Sequence, residues 1–207
     1  SPFINEGRNI LIEEFGRDHG TYFSILELIA SGKTARTEIE SILEKNIGGY
    51  LDKLEREYLI INRVQPFNSK PNSRILKFEI KDNFLFFWFR FIHKNRSAVE
   101  TGNFEYLKEI FKRDYSMFAG KILERFFKSL LSESQTFNKI GSYWEKGNQN
   151  EIDIVAVNDL KKEILFAEVK LNREKISIKK LKEKSEVLLK EYKDYKPCFK
   201  GYSLEDC

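Results

Sequence analysis

Apolar positions in this 207-residue chain follow a helical period, then a strand period, and then the same order again. Residues 21–30 carry Tyr22, Ile25, Leu26, Leu28 and Ile29 at helical spacing, which predicts a helix that Ser31 and Gly32 bring to an end. A second helix, capped by Thr34 or Thr37, is expected to run to Leu43, and a third over 47–58 to turn Tyr50, Leu51, Leu54 and Tyr58 inward. Two strands follow, LIINRV and RILKFEI, separated by a turn that holds Pro66, Asn68, Pro71 and Asn72. This is the order of a winged helix-turn-helix. Where such a domain reads DNA its third helix enters the major groove, which nominates Lys53 and Arg56, and the wing adds Lys70 and Arg74 as phosphate contacts. Asp52, Glu55 and Glu57 share the exposed side of that helix, so a protein-docking role stays open beside DNA binding.

From Asp82 the chain reads DNFLFFWFRFIHKN, with Asp82 as the N-cap. Phe84, Phe86, Phe87, Trp88, Phe89 and Phe91 cover nearly every direction of a helix, so this helix is expected to be buried. Charged sequence over 94–117 reads as a helical connector. The division that results is a winged-helix domain over 1–93, ending in the aromatic helix, the connector, and a second domain over 118–207. That domain opens on a helix with Phe118, Ile122, Leu123, Phe126, Phe127 and Leu130 on one broad face and Glu124 at its border.

Residues 151–170, EIDIVAVNDLKKEILFAEVK, place three ionisable groups in two strands that are otherwise apolar. If Asp159 to Lys162 form the turn, Asn158 faces Glu163 and the antiparallel register sets Asp153 opposite Glu168. Glu168 and Lys170, two apart, share a face. Such residues are commonly edge charges or a cross-strand ion pair. Here their neighbours Val155, Val157, Ile164 and Phe166 read as buried on both faces, and two buried carboxylates repel unless a cation intervenes. Hard oxygen ligands suit Mg²⁺ (or Mn²⁺), with Lys170 placed to serve an attacking water and to offset charge on a phosphate.

Composition narrows the partners. The net charge of +4 divides unevenly: residues 1–66 carry three more acids than bases, and the remainder seven more bases than acids. Ile178, Leu181, Leu188 and Tyr192 predict an amphipathic helix after the second strand, and Lys179, Lys180, Lys182 and Lys184 on its outer side suit a phosphate backbone. An ordinary solvated helix face is the competing reading. Cys198 and Cys207 have no metal-ligand spacing and only His19 and His93 are present, which argues against a zinc site and for a reducing, cytoplasmic setting. No signal peptide or apolar run of about 20 residues is visible, so no membrane partner is expected. Gly32-Lys33-Thr34 echoes a phosphate-binding loop, but Glu27 stands where its first glycine belongs, so no nucleotide site is expected.

Asp153 followed by Glu168 and Lys170 resembles the PD-(D/E)xK nuclease signature, with Ile152 at the proline position. The resemblance implies that Glu124, Asp153, Glu168 and Lys170 are catalytic. It also implies that Asp153, Glu168 and the carbonyl of Val169 hold the metal. The fold class expected is α+β, a winged helix-turn-helix followed by an α/β nuclease-like domain with a mixed sheet. A wider resemblance rests on EEFGRDHGTYFSILELIASGKT, YLDKLEREYLIINRVQPF, IKDNFLFFWFRFI, GSYWEKGNQNEIDIVAV and FAEVK. From about Pro2 to Lys170 these are similar to the C-terminal part of a family of archaeal and bacterial AAA-type ATPases, in which an ATPase module precedes a winged helix and a nuclease-like domain. The resemblance implies an ATPase module as partner, in cis or in trans, and leaves self-association open. Two functions follow as expectations: a DNA-binding region with Mg²⁺-dependent nuclease activity, or a non-enzymatic adaptor with a vestigial nuclease fold.

Overall fold

The computed structural model describes residues 2–70, 73, 75–147 and 149–207, and in its first helix the side chains of residues 8, 9 and 11–15. Arg74, Pro71 and Asn72 lie outside the described residues. The chain divides into two compact units, one formed by 1–64 with 76–114, the other by 65–75 with 115–207. The architecture is α+β.

The first unit begins with α1 (Pro2–Phe15), α2 (His19–Ala30), α3 (Arg36–Leu43) and α4 (Gly48–Arg56), followed by the antiparallel pair β1 (Ile61–Val64) and β2 (Lys77–Ile80). Ile25, Leu26, Ile39, Leu51, Leu54, Ile61 and Ile80 are fully buried, so α2 and α4 turn most of the face their periodicity predicts inward, while Leu28, Tyr50 and Tyr58 are half-buried. Neither Thr34 nor Thr37 caps α3. Its N-cap is Ala35, which makes no side-chain cap hydrogen bond, and within the helix Arg36 Nε donates to Glu40 Oε1 at 2.8 Å. Glu40 Oε1 also accepts the Ile47 N–H at 3.1 Å and so ties α3 to the start of α4.

Asp82 does cap the next helix, its Oδ1 accepting the Leu85 N–H at 2.7 Å. That helix, α5 (Asn83–Phe87), widens into a π-helical stretch, Trp88–His93. Phe86, Trp88, Phe89 and Phe91 are buried, but Phe84 is 57% exposed, so the burial expected all round fails in the first turn. His93 and Arg90, also buried, face the C-terminal half of α2: His93 Nδ1 lies 2.5 Å from Glu27 Oε1, and Arg90 Nη1 donates to the Ala30 carbonyl at 2.6 Å. After α6 (Arg96–Glu100), α7 (Phe104–Glu133) runs without a break through residues 117 and 118.

The second unit is a four-stranded mixed sheet in the order β3 (Lys139–Tyr143), β4 (Ile152–Asn158), β5 (Glu163–Val169) and β6 (Lys196–Tyr202). The β4–β5 hairpin pairs Asn158 with Glu163 and Ile154 with Ala167, the register that a turn over 159–162 requires. β6 returns parallel to β5 through α8 (Ile178–Glu191), whose N-cap is Ser177. Leu181, Leu188 and Tyr192 pack on Val155, Val157, Ile164 and Phe166 on one side of the sheet. Leu123 and Phe127 of α7 pack on Ile154, Ala167 and Val169 on the other. Burying an aromatic or aliphatic side chain of this size contributes roughly 1.5–3 kcal/mol. The buried face of α7 is narrower than its sequence suggests, because Phe126 and Leu130 are exposed.

The segment that links β1 to β2 belongs to this second unit. Phe67 donates its N–H to the Ser142 carbonyl at 2.7 Å and joins the core on the α8 side of the sheet. Gly141 eases the approach, since a Cβ there would lie 3.2 Å from Phe67 Cδ2, a tight contact that the ring would have to shift to relieve.

Candidate metal centre and nucleic-acid face

Strict alternation along β4 would place Ile152 and Ile154 on one side of the sheet. Instead Ile152 packs with Val155 and Val157 beneath α8, while Ile154 packs beneath α7. The two-residue period therefore slips at residues 153 and 154, and the β3–β4 register shifts at the same place, between Gly141 and Tyr143. A bulge of this kind re-aims the side chain it carries. Here that side chain is Asp153.

Asp153 Oδ2 accepts the Val169 N–H at 2.8 Å and lies 3.2 Å from Lys170 Nζ. Lys170 Nζ is also 3.5 Å from Glu168 Oε1. One ammonium thus bridges carboxylates from adjacent strands, both largely buried, at 13% and 12% side-chain exposure. Burial alone would lower the Lys170 pKa. Asp153 and Glu168 outweigh it and hold the ammonium above the ordinary lysine value, so Lys170 is charged at neutral pH. Glu168 Oε2, the other oxygen, accepts the Ser177 N–H at 2.9 Å.

Glu124 joins the cluster from α7. Burial pushes its carboxyl above the usual range, and the neighbouring charge of Asp153 adds to the rise against the opposing pull of Lys121 and Lys128. Lys121 Nζ donates to Glu124 Oε2 at 3.1 Å. Lys128 donates to Ser142 Oγ, which in turn donates to the Asp153 carbonyl at 2.8 Å. The structure therefore brings Asp153, Glu168 and Lys170 into contact, sets Glu124 within electrostatic reach of Asp153, and gives Val169 a main-chain role towards Asp153. Sequence reasoning missed Lys121 and Lys128, although spacings of three and four from Glu124 put both beside it on the helix. It also missed Ser142 and Ser177, which no sequence pattern marks.

Lys53 and Arg56 are exposed in the last turn of α4, where Asp52 and Glu55 are engaged by Arg63 of β1 at 3.0 and 2.9 Å. Lys70, exposed, borders a cleft with Phe67, Asn68, Tyr143 and Trp144. On α8, Lys179, Lys180 and Lys182 are exposed and Lys184 is half-buried. Because Ser177 both caps α8 and touches Glu168, Lys179 and Lys180 stand within one helical turn of the carboxylate cluster.

Residues 88–188 match a family model described as archaea bacterial proteins of unknown function. The matched span takes in the π-helical stretch, α7, the β3–β5 strands and most of α8, and with them every member of the cluster above. The chain is also 39% identical over 160 residues to an uncharacterized protein of Methanocaldococcus jannaschii, an alignment that covers 72% of this chain and 35% of that protein. The chain thus spans about a third of the length of the relative it matches. No solved structure matches. Among the described residues, no helix is long and apolar enough to cross a membrane.

Proposed function

We propose that the second unit is a PD-(D/E)xK nuclease-like domain that binds the DNA backbone and hydrolyses phosphodiesters with Mg²⁺ or Mn²⁺, beside a winged helix in the first unit and in partnership with an ATPase module. The observation that carries this reading is the convergence of Asp153 and Glu168, from the two central strands β4 and β5, on Lys170, next to the point where the β3–β4 register shifts. The donor set fits a hard divalent cation: two carboxylates and the Val169 carbonyl are oxygen ligands of the kind Mg²⁺ takes, and Asp153 and Glu168 already converge on one positive charge. When bound, the metal supplies charge neutralisation at the phosphate and lowers the pKa of a coordinated water.

The chain's own residues account for the rest. Lys170, held as an ammonium, donates hydrogen bonds to the attacking water or to the phosphate, where negative charge gathers in the transition state. Glu124, whose carboxyl is raised above its ordinary value by burial, is suited to accept the proton that the water gives up. Lys179, Lys180, Lys182 and Lys184, with Lys70, hold the flanking backbone without regard to sequence, and Lys53 and Arg56 are the candidate phosphate contacts of the first unit.

A second reading rests on a specific observation. Lys121, Lys128 and Lys170 match Glu124, Asp153 and Glu168 in number, so the cluster is balanced without a metal, as a vestigial site in a docking module would be. Labelled duplex and branched DNA, incubated with Mg²⁺ or Mn²⁺, separates the two. Under the nuclease reading the wild type cleaves and Lys170→Ala loses about 10²–10³ in rate. Equal cleavage by both, or none by the wild type together with no heat of Mn²⁺ binding, gives the site to the adaptor.

A further inference from the structure

Glu168 is held from a direction that metal binding does not explain. Its Oε2 is fixed by the Ser177 main-chain N–H at 2.9 Å, which leaves Oε1 to face Lys170. Ser177 is at the same time the N-cap of α8, its hydroxyl accepting the Lys180 N–H at 3.3 Å. One residue therefore starts the helix and fixes one carboxylate oxygen, and the positive end of the 14-residue helix favours the anion.

The approach of Ser177 depends on Gly201. In the parallel pairing of β5 with β6, Gly201 is the partner of Glu168. A Cβ on Gly201 would lie 2.4 Å from Ile176 Cγ2 and 3.0 Å from Cδ1. Carbon atoms pack at about 3.5–4.0 Å, so the shorter of these is a hard overlap. Ile176 is β-branched, and its Cγ2 moves only with a stiff χ1 or with the main chain. A side chain at position 201 would consequently displace the residue immediately before Ser177.

We propose that Ser177 and Gly201 are positioning residues for Glu168: Gly201 leaves the space in which the Ile176–Ser177 turn lies, and the Ser177 N–H then fixes which carboxylate oxygen faces Lys170 and the metal position. The functional half of this statement rests on the nuclease reading, whereas the geometric half does not, and the test separates them.

Amide hydrogen exchange of the full chain, followed by NMR, reads the Ser177 N–H directly. Gly201→Ala is expected to speed its exchange about tenfold, the size set by losing a hydrogen bond to a charged acceptor. Adding Ile176→Ala removes the overlapping methyl and is expected to restore protection. Glu168→Ala, which leaves the turn untouched, is expected to expose the same amide to a similar degree. If Gly201→Ala alone does not fold, the double variant is still expected to fold with Ser177 protected. Unchanged exchange in Gly201→Ala, or no recovery in the double variant, overturns the proposal. Calorimetry with Mn²⁺ forms the second arm, with about tenfold weaker binding expected in Gly201→Ala and recovery in the double variant. A wild type that binds no Mn²⁺ overturns the functional half, and the exchange result still decides the geometric half.

Discussion

The main-chain N–H of Val169 donates to Asp153 Oδ2 at 2.8 Å, so the residue between Glu168 and Lys170 in sequence is what anchors the carboxylate from the neighbouring strand. Asp153→Ala leaves that N–H without its acceptor and Lys170 with one carboxylate in place of two. A loss of about 1–3 kcal/mol in folding stability is expected. Asp153→Asn retains an oxygen acceptor and should cost less. Repulsion between Asp153 and Glu168, considered alone, would make the asparagine stabilising, but Lys170 between them removes that repulsion. Urea midpoints should therefore rank wild type above Asn and Asn above Ala; an asparagine variant more stable than wild type would contradict the pairing.

Glu124 gives stability a pH dependence of definite sign. Its folded-state pKa is raised above the ordinary 4.5, first by burial, so the folded chain binds this proton more tightly than the unfolded chain does. The contribution is fully present below about 4.5 and is lost as pH rises through the folded value. Glu124→Gln cannot ionise and should hold its stability over that window while wild type declines. Melting temperatures recorded from acid to neutral pH check this, and parallel curves for the two proteins would refute it.

Replacing Lys179, Lys180, Lys182 and Lys184 together by glutamine should weaken DNA binding alike across sequences. It should also flatten the dependence of log K on log salt by about 3, since each phosphate contact contributes about 0.9. Lys184 is half-buried and should account for the least of the change. An unaltered salt slope would place the DNA contact elsewhere or favour the docking reading.

In the first unit, Asp82→Ala removes the acceptor for the Leu85 N–H at the start of the aromatic helix. A loss of about 1 kcal/mol is expected, and Asp82→Asn or Asp82→Ser should recover most of it. Chemical denaturation of the three variants is the check. Equal stability of the alanine and asparagine forms would mean that the cap contributes nothing.

Much of the site is legible in the order of residues alone. Counting four residues into the 159–162 turn fixes the hairpin register, because the turn length sets which residues face one another, and that register runs to Ile154 opposite Ala167, next to Asp153 and Glu168. The α2 and α8 helices and the Asp82 cap follow from local periodicity and local hydrogen-bond chemistry in the same way. Local patterns are weaker where two solutions cost nearly the same. The N-cap of α3 is Ala35, which makes no side-chain cap hydrogen bond, and its first turn carries the Arg36–Glu40 ion pair.

The sequence by itself determined the hairpin, its register and the nearness of two carboxylates and a lysine, since these depend on residues within twenty positions of one another and on the period of the strand. Only the tertiary structure decided how that charge is compensated. The bulge at Asp153 arises from the mismatch of β4 with β3, the role of Phe67 from a close approach over Gly141, and the turn that presents Ser177 to Glu168 from the space left at Gly201. Each depends on which distant backbone comes near. Close packing selects that from the whole chain at once, and no local period encodes it.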